Sequence, residues 1–171
     1  MQEKTGIVTF KGKPVTLLGP EIRVGDKAPD FRAVDSGLAP VTLSDFQGRI
    51  KIISSVPSLD TPVCDMETRR FNQEAAKLPE KVALITISLD LPFAQKRWCA
   101  AAGVDRVNVL SDYQDRSFAQ AYGVLIKELK LLSRSIFIVD ADNVVRYVQH
   151  VKEIGMEPDY TAVLEAVKKF L

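Results

Sequence analysis

The chain has a single histidine and only two cysteines, and no apolar run approaches the roughly 18 residues that a membrane-spanning helix needs. His150 alone cannot supply a two-histidine metal site. Cys64, Cys99 and His150 are too scattered to read as zinc-ligand pairs. Charge of one sign is missing too: 23 Lys and Arg face 22 Asp and Glu, for a net charge of +1. A chain so balanced carries no basic stripe for a phosphate backbone, so nucleic acid is not an expected partner. There is no GxGxxG, no GxxxxGK[ST] and no GxSxG, which removes dinucleotide, P-loop and nucleophile-elbow readings. The opening MQEKTGIVTFKGK lacks the uninterrupted apolar core of a signal peptide. A reducing cytoplasm is therefore the expected compartment, where permanent structural disulfides are rare. No metal, cofactor or membrane contact is expected.

The 171 residues are 46% hydrophobic, with no repeat, low-complexity tract or long linker, and read as one domain over residues 1–171. A chain of this length buries about 70% of its unfolded surface without disulfides or metal, so stability alone does not explain the cysteines. Residues 6–19 read as a hairpin turning at Lys11-Gly12-Lys13. IKIISSV from Ile50 and VALITISL from Val82 have the length and β-branching of buried strands. Between them, Cys64, Thr68, Phe71, Ala75 and Leu78 recur on one face of a helix. A second helix opens at Pro92 and closes at Gly103, with Phe93, Arg97, Trp98 and Ala101 on one face and Cys99 near its end. A strand at VNVL and a short helix in DRSFAQAYG follow. SIFIVD and NVVRYVQHV then read as an antiparallel hairpin in which His150 is an ordinary strand residue. Tyr160, Val163, Leu164, Val167 and Leu171 form the apolar stripe of a last helix. This order predicts an α/β, thioredoxin-like fold: a mixed central sheet flanked by helices, plus the N-terminal hairpin.

The helix start at Cys64 is closely specified. Thr61 suits the N-cap and Pro62 the first helical position, which puts Cys64 third. First-turn N–H groups lack helical partners and the macrodipole is positive there, so a thiolate is favoured over a thiol. At Cys99, near a helix C-terminus, the dipole acts the other way. Cys64 also follows a buried strand directly, at the carboxyl end where open α/β sheets bind ligands.

The run Pro57-Ser-Leu-Asp-Thr61-Pro-Val-Cys64 has the form Pro-x-x-x-Thr-x-x-Cys. It resembles the peroxidatic motif of peroxiredoxins. The hairpin, Ala28-Pro29-Asp30-Phe31, DLPFAQKRWC ending at Cys99, AYGV and EPDY extend the likeness to the thiol peroxidase subgroup, the atypical two-cysteine peroxiredoxins, over nearly the whole chain. The resemblance implies that Cys64 is the peroxidatic nucleophile, that Thr61 positions thiolate and peroxide, and that Pro57 shields the site. Arg134 in LLSRSIFIVD falls at the family's active-site arginine, and without the resemblance it would be read as a solvated strand-edge cation. Cys99 would resolve the sulfenic acid to a Cys64–Cys99 disulfide that thioredoxin reduces. A hydroperoxide substrate and a homodimer are implied as well. Trp98 stands where Phe is common, Pro62 where Gly is often seen, and VLIKELKLLSR is shorter than its usual counterpart. The competing readings are a redox sensor or thioredoxin-like binding module in which the same disulfide turns over no substrate, and a structural role in which the two cysteines are unconnected and buried.

Overall fold

Ile50–Ser55 (β5) and Val82–Ser88 (β6) pair in parallel at the centre of a seven-stranded sheet, and every residue of both is buried. Their side chains alternate across the sheet. Ile50, Ile52 and Leu84 face one apolar cluster, and Ile53, Ala83, Ile85 and Ile87 face the other, which is why apolar residues fall on both faces of both strands. The computed structural model describes residues 1–171. The remaining elements are β1 (Glu3–Phe10), β2 (Lys13–Leu18), β3 (Arg32–Val34), β4 (Pro40–Thr42), a 3-10 turn (Leu43–Phe46), α1 (Pro62–Ala75), α2 (Pro92–Ala102), β7 (Asn108–Ser111), α3 (Ser117–Ala121), β8 (Leu125–Ile126), β9 (Ser135–Val139), β10 (Val145–His150) and α4 (Tyr160–Lys168). The large sheet runs β10-β9-β5-β6-β7-β3-β4, mixed as expected, and β1-β2-β8 form a second sheet of three strands.

α1 and α4 cover one face of the large sheet, where Phe71, Val163 and Val167 meet Ile136 and Ile138 of β9. The other face packs on Phe31, Phe46, Phe118 and Tyr122, with Phe118 and Tyr122 stacked at 4.5 Å. The N-terminal hairpin begins at Glu3 rather than near residue 6, because Gly6 at φ 78° accommodates a bulge between Lys4 and Val8 and pairing continues beyond it. His150 is a strand residue whose Nδ1 shares a 2.8 Å hydrogen bond with Ser135 Oγ; burial lowers its pKa, as does Lys4.

Two apolar stripes expected from spacing are used differently. On α2 the buried residues are Pro92 and Gln95, while Phe93 is 65% exposed and Arg97 and Ala101 face solvent. α2 rests on the sheet through its smaller side, leaving the aromatic side as an open groove. On α4, Ala166 is buried where Leu171, beyond the helix end, is exposed. β3, β4 and β8 lack a sequence signal because two or three residues are too few to show alternation. No helix is long and apolar enough to cross a membrane.

Candidate active site

Two adjacent strand ends bring the site together. β5 runs out at Ser54-Ser55, and the loop through Pro57 leads into α1, so Cys64 lies just beyond the carboxyl end of the central strand. β9 pairs with β5 antiparallel, Ser55 opposite Ser135, and its first residues therefore start at that same end. This places Arg134, immediately before β9, beside a cysteine 70 positions earlier.

Arg134 is 1% exposed, not a solvated cation, and three of its nitrogens have partners. Nη2 donates to Cys64 Sγ at 3.2 Å, Nη1 to Glu67 Oε2 at 2.5 Å and Nε to the Ile154 carbonyl at 3.1 Å. Burial works against the Arg134 charge, but Glu67 and Cys64 beside it more than offset this and hold its pKa above the ordinary value. Glu67 lies one turn after Cys64 on the same face of α1, fully buried, and its Oε1 accepts from Ser54 Oγ at 2.9 Å. Burial raises its pKa against the pull of Arg134 and Ser54. Sequence reasoning missed Glu67. Its position three residues after Cys64, inside the apolar stripe of α1, was the available signal.

Cys64 is wholly buried among Val56, Leu59, Trp98 and Val109. It is the third residue of α1, and the first helical hydrogen bond runs from Asp65 N–H to the Thr61 carbonyl. The N–H of Cys64 thus lies among the unpaired donors of the first turn and adds to the positive field that Arg134 supplies. Thr61 stands at the N-cap with extended backbone, but its hydroxyl does not cap the helix. It donates instead to the Ser58 carbonyl at 2.8 Å, which leaves the Oγ1 lone pairs free to accept. Beside Cys64, which does not itself line it, opens a cavity of about 330 Å³, walled by Phe10, Pro57, Leu129, Leu131 and Ile154, with Thr61 and Arg134 supplying its polar lining. Phe10 is held there by the hairpin tip, where Glu153 accepts from Lys11 N–H at 2.9 Å and also bonds the Thr9 hydroxyl.

Cys99 is a free thiol, as Cys64 is, and both sit within wound helices. It is half-buried in the last turns of α2, and burial pushes its pKa up. Of the residues expected at the site, Pro57, Thr61, Cys64 and Arg134 converge, while Cys99 belongs to a neighbouring helix.

Comparison with known proteins agrees with this geometry. The redoxin family model matches residues 23–164. A protein from Oceanobacillus iheyensis named thiol peroxidase is 56% identical over 162 residues, 95% of this chain and 98% of that relative. The thiol peroxidase of Bacillus subtilis is 53% identical over 161 residues, 94% of this chain and 96% of its own. Among solved structures, a peroxiredoxin-like protein from Aquifex aeolicus superposes with a TM-score of 0.91 at 43% identity, covering 98% of this chain and 99% of that one. Thiol peroxidase from Chromobacterium violaceum follows with a TM-score of 0.84 at 26% identity, covering 95% of each chain. The chain belongs to the redoxin family and, within it, to the thiol peroxidase branch of the peroxiredoxins.

Proposed function

We propose that the protein is a thioredoxin-dependent thiol peroxidase, with residues 1–171 acting as one catalytic domain. The observation that carries this reading is the hydrogen bond from a buried arginine to a cysteine at a helix N-terminus. The Cys64 thiolate attacks the terminal oxygen of a hydroperoxide. An S–O bond forms, the O–O bond breaks, and the departing alkoxide or hydroxide takes a proton to leave as alcohol or water. Arg134 stabilises the thiolate and the charge that moves onto the peroxide oxygens. Thr61 Oγ1, already donating to Ser58, accepts from the peroxide hydroxyl and aims it at sulfur. Pro57 closes the site against water. The cavity's apolar walls suit the organic part of an alkyl hydroperoxide as well as hydrogen peroxide.

Cys99 then loses its proton and attacks the Cys64 sulfur, water departs, and the chain holds one Cys64–Cys99 disulfide. A dithiol thioredoxin reduces that bond and is itself oxidised. A reducing cytoplasm is the compartment in which this cycle runs. The test is NADPH consumption coupled through thioredoxin reductase and thioredoxin, with hydrogen peroxide and an organic hydroperoxide compared. Continued turnover that stops on Cys64→Ser supports the enzyme, and a single stoichiometric oxidation supports a sensor instead.

Thr61→Val should slow the peroxide step at least about tenfold, equivalent to about 1.4 kcal/mol, because the acceptor is lost while the volume is kept. Thr61→Ser should stay near wild type in the same stopped-flow measurement. The resolving step should depend on pH. Burial in the folded state raises the Cys99 pKa, so the stability this thiol lends the wound α2 is fully present below the ordinary thiol range. It is lost as pH rises through the raised value, where the resolving thiolate also forms. Disulfide formation should therefore accelerate with pH in that window, as rapid-quench sampling of the oxidised protein over a pH series would show.

The groove on α2 is the surface we assign to a second copy of the chain. Leu91 and Phe93 are 51% and 65% exposed there, beside Trp98 and Asp60 of the active-site loop. Sedimentation should find a dimer that Phe93→Glu converts to a monomer; a wild-type monomer at assay concentration would remove this assignment.

A further inference from the structure

The outer side of α1 grips the end of α2. Asp65, Arg69 and Asn72 follow one another at helical spacing, and each holds a group at or just beyond the last turns of α2. Asp65 Oδ1 accepts the indole N–H of Trp98 at 2.8 Å, and its Oδ2 accepts from Arg69 Nε at 2.9 Å. The Arg69 guanidinium lies 5.8 Å from the Trp98 ring centroid and donates to the carbonyl of Ala102, the last residue of α2, at 3.3 Å. Asn72 Oδ1 accepts from the N–H groups of Asp105 and Arg106 at 3.2 and 2.7 Å. Trp98 itself packs against two apolar clusters, one containing Cys64 and the other the one on which Cys99 rests.

We infer that Asp65 and Trp98 form a latch that couples unwinding at Cys64 to release of Cys99, and so sets the rate of disulfide formation. This rests on the peroxidase reading above. Asp65 is the residue after Cys64, so unwinding the first turn of α1 carries away the acceptor of the Trp98 N–H and the partner of Arg69. α2 has no basic residue in its own last turn. Loss of Arg69 therefore uncovers its terminal carbonyl just where Cys99 must come free. The chemistry supplies the trigger. Cys64 has no exposed surface, and an oxygen added to its sulfur puts an extra polar atom into a filled apolar cluster of which the Trp98 ring is one wall. The reduced form thus stays latched, and the sulfenic acid opens it.

Trp98→Phe keeps an aromatic ring on the two clusters and removes the N–H donor together with the second ring of the indole. In this variant the peroxide step should remain within about twofold of wild type, while the sulfenic acid converts to disulfide at least about fivefold faster, the effect of losing one hydrogen bond to a carboxylate. Less sulfinic acid should form at a given peroxide excess. Asp65→Ala should accelerate the same step, and the double variant should be no faster than Asp65→Ala alone, because that substitution already removes the hydrogen bond that Trp98→Phe removes. A disulfide step as slow as wild type or slower, or single effects that multiply in the double variant, overturns the latch. The unaltered protein offers a second readout, since Trp98 is the only tryptophan. Its emission should shift to the red on oxidation as the ring enters water, and an unshifted emission with the disulfide formed also overturns the latch. If the wild-type protein forms no disulfide at all, the peroxidase reading fails first and independently.

Discussion

Arg134→Ala is expected to slow the peroxide step by at least about two orders of magnitude, or roughly 2.7 kcal/mol of transition-state stabilisation. It should also destabilise the fold. Were Arg134 a solvated cation at a strand edge, its removal would cost little stability; the structure buries it against an equally buried Glu67. Removing the arginine of such a pair leaves the Glu67 carboxylate unpaired and costs about 3–5 kcal/mol, read as a fall in the denaturant midpoint. The two losses separate in the double variant Arg134→Ala with Glu67→Gln. The neutral amide no longer needs a cation, so much of the stability should return, while the peroxide step should stay slow because nothing donates to the Cys64 sulfur. A double variant that recovers both would mean that Arg134 acts only through the fold. A single variant with wild-type stopped-flow rates would remove it from the mechanism.

Cys99→Ser should leave the first oxidation of Cys64 intact and nearly abolish thioredoxin-supported turnover, by at least about 100-fold. Cys99 is half-buried in the last turns of α2, away from the cluster around Cys64, so its loss does not reach the peroxide-binding groups. Without a resolving thiol the sulfenic acid persists, and sulfinic acid should accumulate at Cys64 under excess oxidant. Peptide mass spectrometry after graded peroxide checks this. A Cys99→Ser protein that turns over with thioredoxin at the wild-type rate would show that the reductant attacks Cys64 directly.

These expectations depend on features that differ in how visible they are from sequence. The Cys64 environment is local: a strand end, a proline and a helix start lie within ten residues, and each has a backbone preference that composition reveals. Arg134 is different. Its nearness to Cys64 comes from antiparallel pairing between β5 and β9, a register that no spacing announces, so without the family resemblance it reads as a surface residue. Glu67 was hidden by its type, since a glutamate inside an apolar stripe is ordinarily taken as solvated until the cation that neutralises it is known. Thr61 stands at the N-cap that the sequence predicts but makes a different bond, because the N-cap preference cannot show that the Ser58 carbonyl accepts from its hydroxyl. On α2 the face expected from spacing is only partly used. Gln95 goes inward because Ser88 and the Leu110 carbonyl accept its amide, Trp98 packs half-buried on two clusters, and Phe93 is left outside.

Whether one chain carries the whole oxidative half of the cycle, Cys64 first and Cys99 second, is read from rapid-quench intact-mass measurement after one equivalent of hydroperoxide. The expected course is a transient gain of one oxygen, located on Cys64, followed by loss of that oxygen with two hydrogens as the same chain closes its disulfide. Oxidation that appears first on Cys99, or a disulfide that joins two chains, would overturn this order.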